Sequence, residues 1–404
     1  MTRWTSAEVQ ALMSAMGMSQ TEFARAAGVT TRTVRRWESG RPIGPQGQAD
    51  LGGLLARLDP DAMNRFAAQL GREEDDQMDR RGLFKVAALG AAAAAGVDLP
   101  ALVHGGGEAG ETAVAALRQS LHAAMVLDDQ LGSPAASGMV QVQTALTRAL
   151  LEDCSPDQRR PLMVLHAEWV GLGGCLEVDR GQFEAAASMY EQAREIAHDA
   201  EDSDLAAYML CHLSQLATWQ GRRRFAQDHA AAAQAWIRDS RDARLRGYVL
   251  MLSAWAAANV GHERDALRAL DDAQAALAGL GPCPPSASRA YHTDDTMLAA
   301  YRGAVLAALG RTAEGAAAMR AAAEQMPSPR DQAVTLIESA EASVLAGDID
   351  RAAAAIGTAA ERTTRNRSPR LARRVMSARH QLAPWAASQP VRELDDHLVD
   401  MVRP

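Results

Sequence analysis

The segment SQTEFARAAGVTTRTVRRWESG, Ser19 to Gly40, decides how the reading of the chain begins. Small and apolar side chains recur where two short helices must pack: Phe23, Ala24, Ala27, Val29, Val34 and Trp37. Gly28 stands between the two runs, at a turn where a positive φ is cheap only for glycine. Thr30 follows it as the N-cap of the second helix. The pattern is helix, tight turn, helix, with Thr31, Arg32, Arg35 and Arg36 on the face opposite the core.

Arginine on such a helix suits duplex DNA. Its fork of donors matches guanine O6 and N7, and the major groove admits one helix. The segment resembles the XRE-type, lambda-repressor-like helix-turn-helix family, which runs Ser-Gln, Phe/Leu-Ala, Gly-Val, Val, Trp-Glu-x-Gly. Here those positions are Ser19-Gln20, Phe23-Ala24, Gly28-Val29, Val34 and Trp37-Glu38-Ser39-Gly40. The resemblance spans roughly Thr5 to Leu58 and implies a five-helix DNA-binding domain. It also implies that Gln20 braces phosphate and base contacts, while Thr31, Arg32, Arg35 and Arg36 read bases.

Charge is distributed accordingly. Residues 1–45 carry six arginines against three glutamates, a net +3, whereas the other 359 residues carry 36 basic and 47 acidic side chains, a net −11. A footprint for nucleic acid is confined to the N-terminus, and the remainder should meet another kind of partner. Lysine occurs once, at Lys85. That bias is of the kind found in GC-rich, actinobacterial-type genomes and carries no mechanism.

The chain divides into a DNA-binding domain (1–71), a linker (72–109) and a helical domain (110–404). Helices expected near Gln46–Arg57 and Pro60–Leu70 complete the first domain. The linker holds an acidic run (Glu73 to Asp76), an alanine-rich helix and Gly105-Gly106-Gly107. Within it, Arg80-Arg81-Gly82-Leu83-Phe84-Lys85 and the apolar run to Val97 resemble a twin-arginine export signal. A domain precedes this stretch, and 12 apolar residues are too few to span a bilayer. The expectation is therefore a cytoplasmic protein without a membrane anchor.

From Gly110 onward the chain repeats itself. Gly181, Gly221, Gly261, Gly310 and Gly347 serve as anchors, at spacings of 40, 40, 49 and 37. Five residues after each stands Ala186, Ala226, Ala266, Gly315 or Ala352, and twelve after stands alanine every time. Nine after come Tyr190, Ala230, Leu270, Met319 and Ile356. Seven before come Gly174, Ser214, Ala254, Gly303 and Ala340. These columns describe a helix, a glycine turn and a second helix crossing at small residues. They resemble the tetratricopeptide repeat, with a longer period and a variable aromatic column. The fold class is thus all-α, an N-terminal helix-turn-helix domain followed by an α-solenoid. Helices near Glu111–Gln130 and Ser137–Cys154 should precede the regular repeats, and Pro369–Leu382 and Pro390–Val402 should cap them.

The resemblance implies a concave groove lined by the first helix of each pair, at set distances before the glycine. In the second, third and fourth repeats this stripe selects Tyr208, Cys211, His212, Gln215 and Trp219, then Tyr248, Met251, Trp255 and Asn259, then Met297 and Tyr301. Aromatic residues make up only 4% of the chain, so five on one stripe suit a groove for a peptide or a small amphipathic molecule. The same aromatics could instead be packing between long helices.

No P-loop, HExxH or GxSxG motif occurs, and the ten histidines form no metal spacing. His292 with Asp294 and Asp295 is the closest cluster, and it sits where a helix start calls for a capping aspartate. Cys154, Cys175, Cys211 and Cys283 lack CxxC spacing and read as reduced thiols. No enzyme, metal or cofactor is expected. Three functions remain open: a transcriptional regulator that senses a ligand, a regulator whose repeats dock a protein or only dimerise, and a scaffold whose DNA-binding domain is out of use. A homodimer is expected, because one such domain reads only a half-site of duplex DNA.

Overall fold

The computed structural model describes Trp4, residues 6–39, Arg41, residues 43–55, Ala62, and residues 108–280 and 288–402. All regular structure among them is helical. The expected helix at Pro60–Leu70, the alanine-rich linker helix and the Arg80-Arg81 pair lie outside the described residues, as does Cys283. No helix among the described residues is long and apolar enough to cross a membrane. Two compact units are present, Met1–Leu117 with Gln141–Leu162, and Arg118–Val140 with Met163–Pro404.

The N-terminal domain begins with α1 (Ser6–Ala15), α2 (Gln20–Ala26), α3 (Thr31–Glu38) and α4 (Pro45–Leu55). Val9, Leu12, Phe23, Val34 and Leu51 are fully buried, and Trp4, Trp37, Ile43 and Leu54 close the same core. Each motif helix is started by a side chain. Ser19 accepts from the Glu22 N–H while the Glu22 carboxylate accepts from the Ser19 N–H, a reciprocal capping box. Thr30 accepts from the Thr33 N–H at 3.2 Å. Gly28 holds φ +67° at the turn, as its place in the sequence requires.

The helices that follow are α5 (Glu108–Leu131), α6 (Ser133–Asp153) and α7 (Pro156–Arg180), then α8 (Phe183–Asp199), α9 (Ser203–Trp219), α10 (Arg223–Trp236), α11 (Ala243–Asn259) and α12 (Glu263–Ala278). After them come α13 (Asp295–Ala308), α14 (Thr312–Ala323), α15 (Pro329–Leu345), α16 (Ile349–Asn366) and α17 (Pro369–Gln381), a 3-10 turn at Ala383–Trp385, and α18 (Gln389–Val402). The five anchor glycines fall in the turns α7–α8, α9–α10, α11–α12, α13–α14 and α15–α16, each with φ between +71° and +87°. The small columns meet as the spacing predicts. A Cβ on Gly303 would lie 2.8 Å from the Gly315 carbonyl oxygen, and Ser214 Oγ donates to the Ala226 carbonyl at 2.8 Å. The repeat unit is therefore a tetratricopeptide-like stack of helix pairs.

Capping distinguishes the two helices of a pair. First helices α9, α11, α13, α15 and α17 start at Asp202, Asp242, Asp294, Ser328 and Ser368, each accepting a backbone N–H. Such a cap contributes about 1 kcal/mol. Second helices α8, α10, α12 and α14 leave the glycine turn without a side-chain cap, and α16 alone uses one, Asp348.

An ordinary solenoid touches only its neighbours along the stack. Here the C-terminal end of α5 is bound by the last repeats. Arg330 donates twice to Asp128, at 2.5 and 2.7 Å, and Asn366 Nδ2 donates to the carbonyls of Asp128 and Asp129 at 3.1 and 2.9 Å. Asp179 accepts from Ser133 at 2.7 Å and also from Ser368. A Cβ at Gly132 would fall 2.0 Å from the Asn366 carbonyl oxygen, so this approach demands glycine. The repeat unit closes on itself, where the sequence predicts a concave groove, because Arg330, Asn366 and Ser368 bond to Asp128, Asp129 and Asp179 across 189 to 238 residues of chain.

Candidate functional site

On α3 the side chains of Arg32, Arg35 and Arg36 are exposed, and Thr31 is half-buried in the first turn. Gln20 opens α2 and spans the motif. Its Nε2 donates to Glu38 at 2.6 Å, and its Oε1 accepts from Arg35 Nε at 3.2 Å. The amide thus ties the start of α2 to the far end of α3. This fixes the angle between them and orients Arg35. Glu38 is the member of that link that sequence reasoning missed, since its family role is read only as part of the Trp-Glu-x-Gly stop. Arg32 and Arg36 make no side-chain hydrogen bond with a described residue and remain free to meet a partner.

A cavity of about 200 Å³ lies within the repeat unit. Tyr208, His212, Gln215 and Trp219 of α9 line it at helical spacing, joined by Tyr248 and Trp255 of α11 and by Met297 and Tyr301 of α13. Of the side chains on the predicted stripe, all but Cys211, Met251 and Asn259 come together. Asn259 points back along its own helix, where Nδ2 donates to the Trp255 carbonyl at 2.8 Å. Cys211 and Met251, 1% and 0% exposed, belong to the core. Tyr208 and Tyr248 serve both ends, because they are buried among the helices and also front the cavity.

The aromatic wall is built edge to face. Tyr208 meets the His212 ring at 4.6 Å, Tyr190 stacks on His212 at 4.9 Å, and Trp255 meets Tyr301 at 6.2 Å. Gln215 Nε2 donates to the Tyr301 hydroxyl at 3.4 Å. Burial, with no acid at hand, holds the His212 imidazole neutral, its pKa pushed down to about 3.

The opposite wall is charged and escaped the sequence reading. It consists of Asp128 and Asp129 on α5, Arg330, Asp331 and Glu338 on α15, and Arg370 on α17. Burial raises the Asp129 carboxyl to about 6, assisted by Asp331 and opposed by Arg330 and by the hydroxyl of Tyr291, which donates to it. Burial likewise raises Asp331 and Glu338. Tyr291 and His292, between α12 and α13, complete the lining, His292 meeting the Tyr248 ring at 5.1 Å. Asp294 caps α13 by accepting from the Met297 N–H at 2.9 Å, so that aspartate has the capping role its position suggests. A second, smaller hollow shares Tyr208, His212 and Tyr291 and reaches Arg289, which is held by Glu168 and Asp202 at 2.7 Å each.

Cys154, Cys175 and Cys211 are free thiols. Cys175 accepts from the Tyr190 hydroxyl at 3.4 Å, and burial pushes its pKa up to about 11. No cluster of metal-ligating side chains occurs among the described residues.

This combination defines a two-part protein, a helix-turn-helix domain joined in one chain to a self-closing helical-repeat unit that holds an amphipathic cavity. Residues 9–46 match the helix-turn-helix family, and the N-terminal domain is of the XRE type. No curated protein matches the chain. Its fold is similar to that of a Rap protein crystallised with competence and sporulation factor, at 15% identity over 71% of this chain and 87% of that one, with a TM-score of 0.45. It is also similar to aspartyl phosphate phosphatase F from Bacillus subtilis, at 12% identity over 89% and 94% of the two chains, with a TM-score of 0.45.

Proposed function

We infer that this chain is a sequence-specific DNA-binding transcriptional regulator whose repeat unit senses a peptide or small molecule. The DNA-binding part rests on the helix-turn-helix match and on the exposed arginines of α3. The sensing part rests on one observation: a cavity in the repeat unit with an aromatic wall facing a charged wall. Such pockets hold ligands by apolar contact and orient them by a few polar groups. In this reading the protein is cytoplasmic, binds a two-fold operator as a homodimer and catalyses no reaction. Gln20, Thr31, Arg32, Arg35 and Arg36 meet DNA. Tyr208, His212, Gln215, Trp219, Tyr248, Trp255 and Tyr301 meet the ligand.

Two measurements test it. Purified full-length protein incubated with sheared genomic DNA should enrich a small set of two-fold sites, and random recovery would end the DNA-binding assignment. Low-molecular-weight extract should raise the melting temperature of wild type, since a ligand at a hundred times its Kd adds about 2.7 kcal/mol. The same extract should act much less on Trp255→Ala. Equal shifts in both proteins would place the ligand elsewhere.

A further inference from the structure

The polar groups around the cavity do not balance. Each lining carboxylate has a partner: Asp128 accepts from Arg330, Asp129 from Tyr291, and Asp331 faces the Ser328 hydroxyl. Glu338 lies 3.6 Å from Arg374. The donors are left over. Among the described residues, the buried lining atoms that lack any partner are Trp219 Nε1, Arg330 Nε and Arg370 Nε, and all three are N–H groups. Arg330 still spends its other nitrogens on Asp128. Arg370 spends none, since no described residue forms a hydrogen bond or ion pair with it. Its guanidinium sits 4.7 Å from the centre of the Trp219 ring.

The position makes this cation costlier still. Arg370 lies in the first turn of α17, just after the Ser368 cap, and no acid shares that turn. The helix dipole there disfavours positive charge and favours an anion. Burial, with repulsion from Arg374 and Arg330, lowers the Arg370 pKa to about 10, and the attraction of Asp179 and Glu338 offsets this only in part. An uncompensated buried charge is destabilising, and features of this kind persist where function requires them.

Resting on the sensing role inferred above, we propose that Arg370, braced on Trp219, anchors a carboxylate of the ligand, whose apolar body lies along the Tyr208–Trp255–Tyr301 wall. The carboxylate would accept from the guanidinium fork and from Trp219 Nε1, satisfying donors that the protein itself leaves unpaired. Two sources share this chemistry, a peptide with a free carboxylate and a small hydrophobic organic acid.

Matched acid and amide probes test the anchor on the full chain. The peptide pair is a mixture of hydrophobic pentapeptides as free acids and as C-terminal amides, and the non-peptide pair is 4-phenylbutyrate and 4-phenylbutyramide. Thermal shift and tryptophan fluorescence read binding to wild type, Arg370→Lys and Arg370→Met. We expect at least one acid to bind wild type about tenfold or more tighter than its amide, and Arg370→Met to erase that preference. Arg370→Lys should retain part of it. Which pair discriminates identifies the source. Arg370→Met without ligand should melt no lower than wild type, since it removes an unpaired buried cation. A marked fall would mean that Arg370 is a structural strut on Trp219 and would overturn the proposal. If acids and amides bind equally, the anchor is wrong while the sensing cavity stands. If no probe binds at millimolar concentration, both readings fall.

Discussion

Arginine occupies two unlike environments in this protein. On α3, Arg32, Arg35 and Arg36 stand in solvent, with Arg35 lightly held by Gln20. In the repeat unit, Arg330 is sunk beside Asp128, 14% and 3% exposed at their side chains, and Arg370 is half-buried with no acid in direct contact, Asp179 and Glu338 attracting it only from a distance. A solvated guanidinium costs the fold almost nothing, so a surface can hold several until a polyanion arrives. A sunken one that the fold itself neutralises, as Asp128 neutralises Arg330, cannot be removed without consequences for folding that a surface arginine lacks. The same residue type is therefore a binding group on α3 and a structural group at Arg330, while Arg370, without a direct partner, is left to a ligand.

The sharpest break in that contrast would come from Arg330→Ala. It leaves Asp128 buried without its counter-ion and opens the junction between α5 and α15. We expect a loss of about 3–5 kcal/mol in urea unfolding of the full chain. A combined Arg330→Met and Asp128→Leu protein should recover most of it, because neither charge is then stranded. A loss below about 1 kcal/mol for the single variant would show that the junction is solvated and the unit open.

The acids of the charged wall give the next effect, and its sign is opposite to that of an exposed ion pair. The Asp129 pKa is higher in the folded chain, about 6, than its ordinary value of 3.8, so the folded state holds the proton more tightly. Between those two values the folded state binds more protons than the unfolded one, and stability falls as pH rises. Above pH 6 this contribution is flat. The shift caps the change at about 3 kcal/mol, less where Asp331 shares the proton. Asp129→Asn should flatten the melting temperature between pH 4 and 6 and raise it at pH 7.5. A wild-type profile that rises through this window, unchanged in Asp129→Asn, would show that the carboxylate is ionised and well paired.

The division between the two walls also marks how far the sequence could be read. The aromatic wall was legible because it obeys a period: Tyr208, His212, Gln215 and Trp219 recur on one face of α9. The same offsets before Gly181 and Gly347 point to Leu172, Cys175, Val334 and Glu338, which also line the cavity, so that signal was present in the first and fifth repeats as well. The charged wall and the α12–α13 connection mostly follow no period. Tyr291 and His292 sit on an irregular connection, and Asp128 meets Arg330 across 202 residues with nothing local to announce it. Closure of the stack is a tertiary event, and a repeat pattern specifies neighbours only.

On the DNA side, the contrast predicts binding loss without folding loss. Arg32→Ala should weaken operator binding by about 1–3 kcal/mol and relax the preference at one base pair. Its melting temperature should match wild type, because the side chain is exposed and holds nothing in the fold. Gln20→Ala should instead affect both, since it releases Glu38 and Arg35 together. Unchanged operator affinity in Arg32→Ala would remove α3 from the groove.

The smallest effect should come from Asn259, where the stripe reading and the structure part. Its place two residues before Gly261 puts it on the predicted groove face, yet it ends α11, where carbonyls lack helical partners. The amide turns back one turn to share the Trp255 carbonyl instead, and so does not join the lining. Asn259→Ala gives up one half-buried hydrogen bond, about 0.5–1.5 kcal/mol. Ligand response and DNA binding should stay at wild-type levels. Trp255→Ala, four residues earlier in the chain, removes a ring that touches both the core and the cavity, so it should lower the melting temperature and the response together. Melting temperature and reporter output for the two variants decide the matter. A lost response with normal stability in Asn259→Ala would mean that the amide leaves its own helix to take the ligand, and the cavity would then extend one turn further along α11.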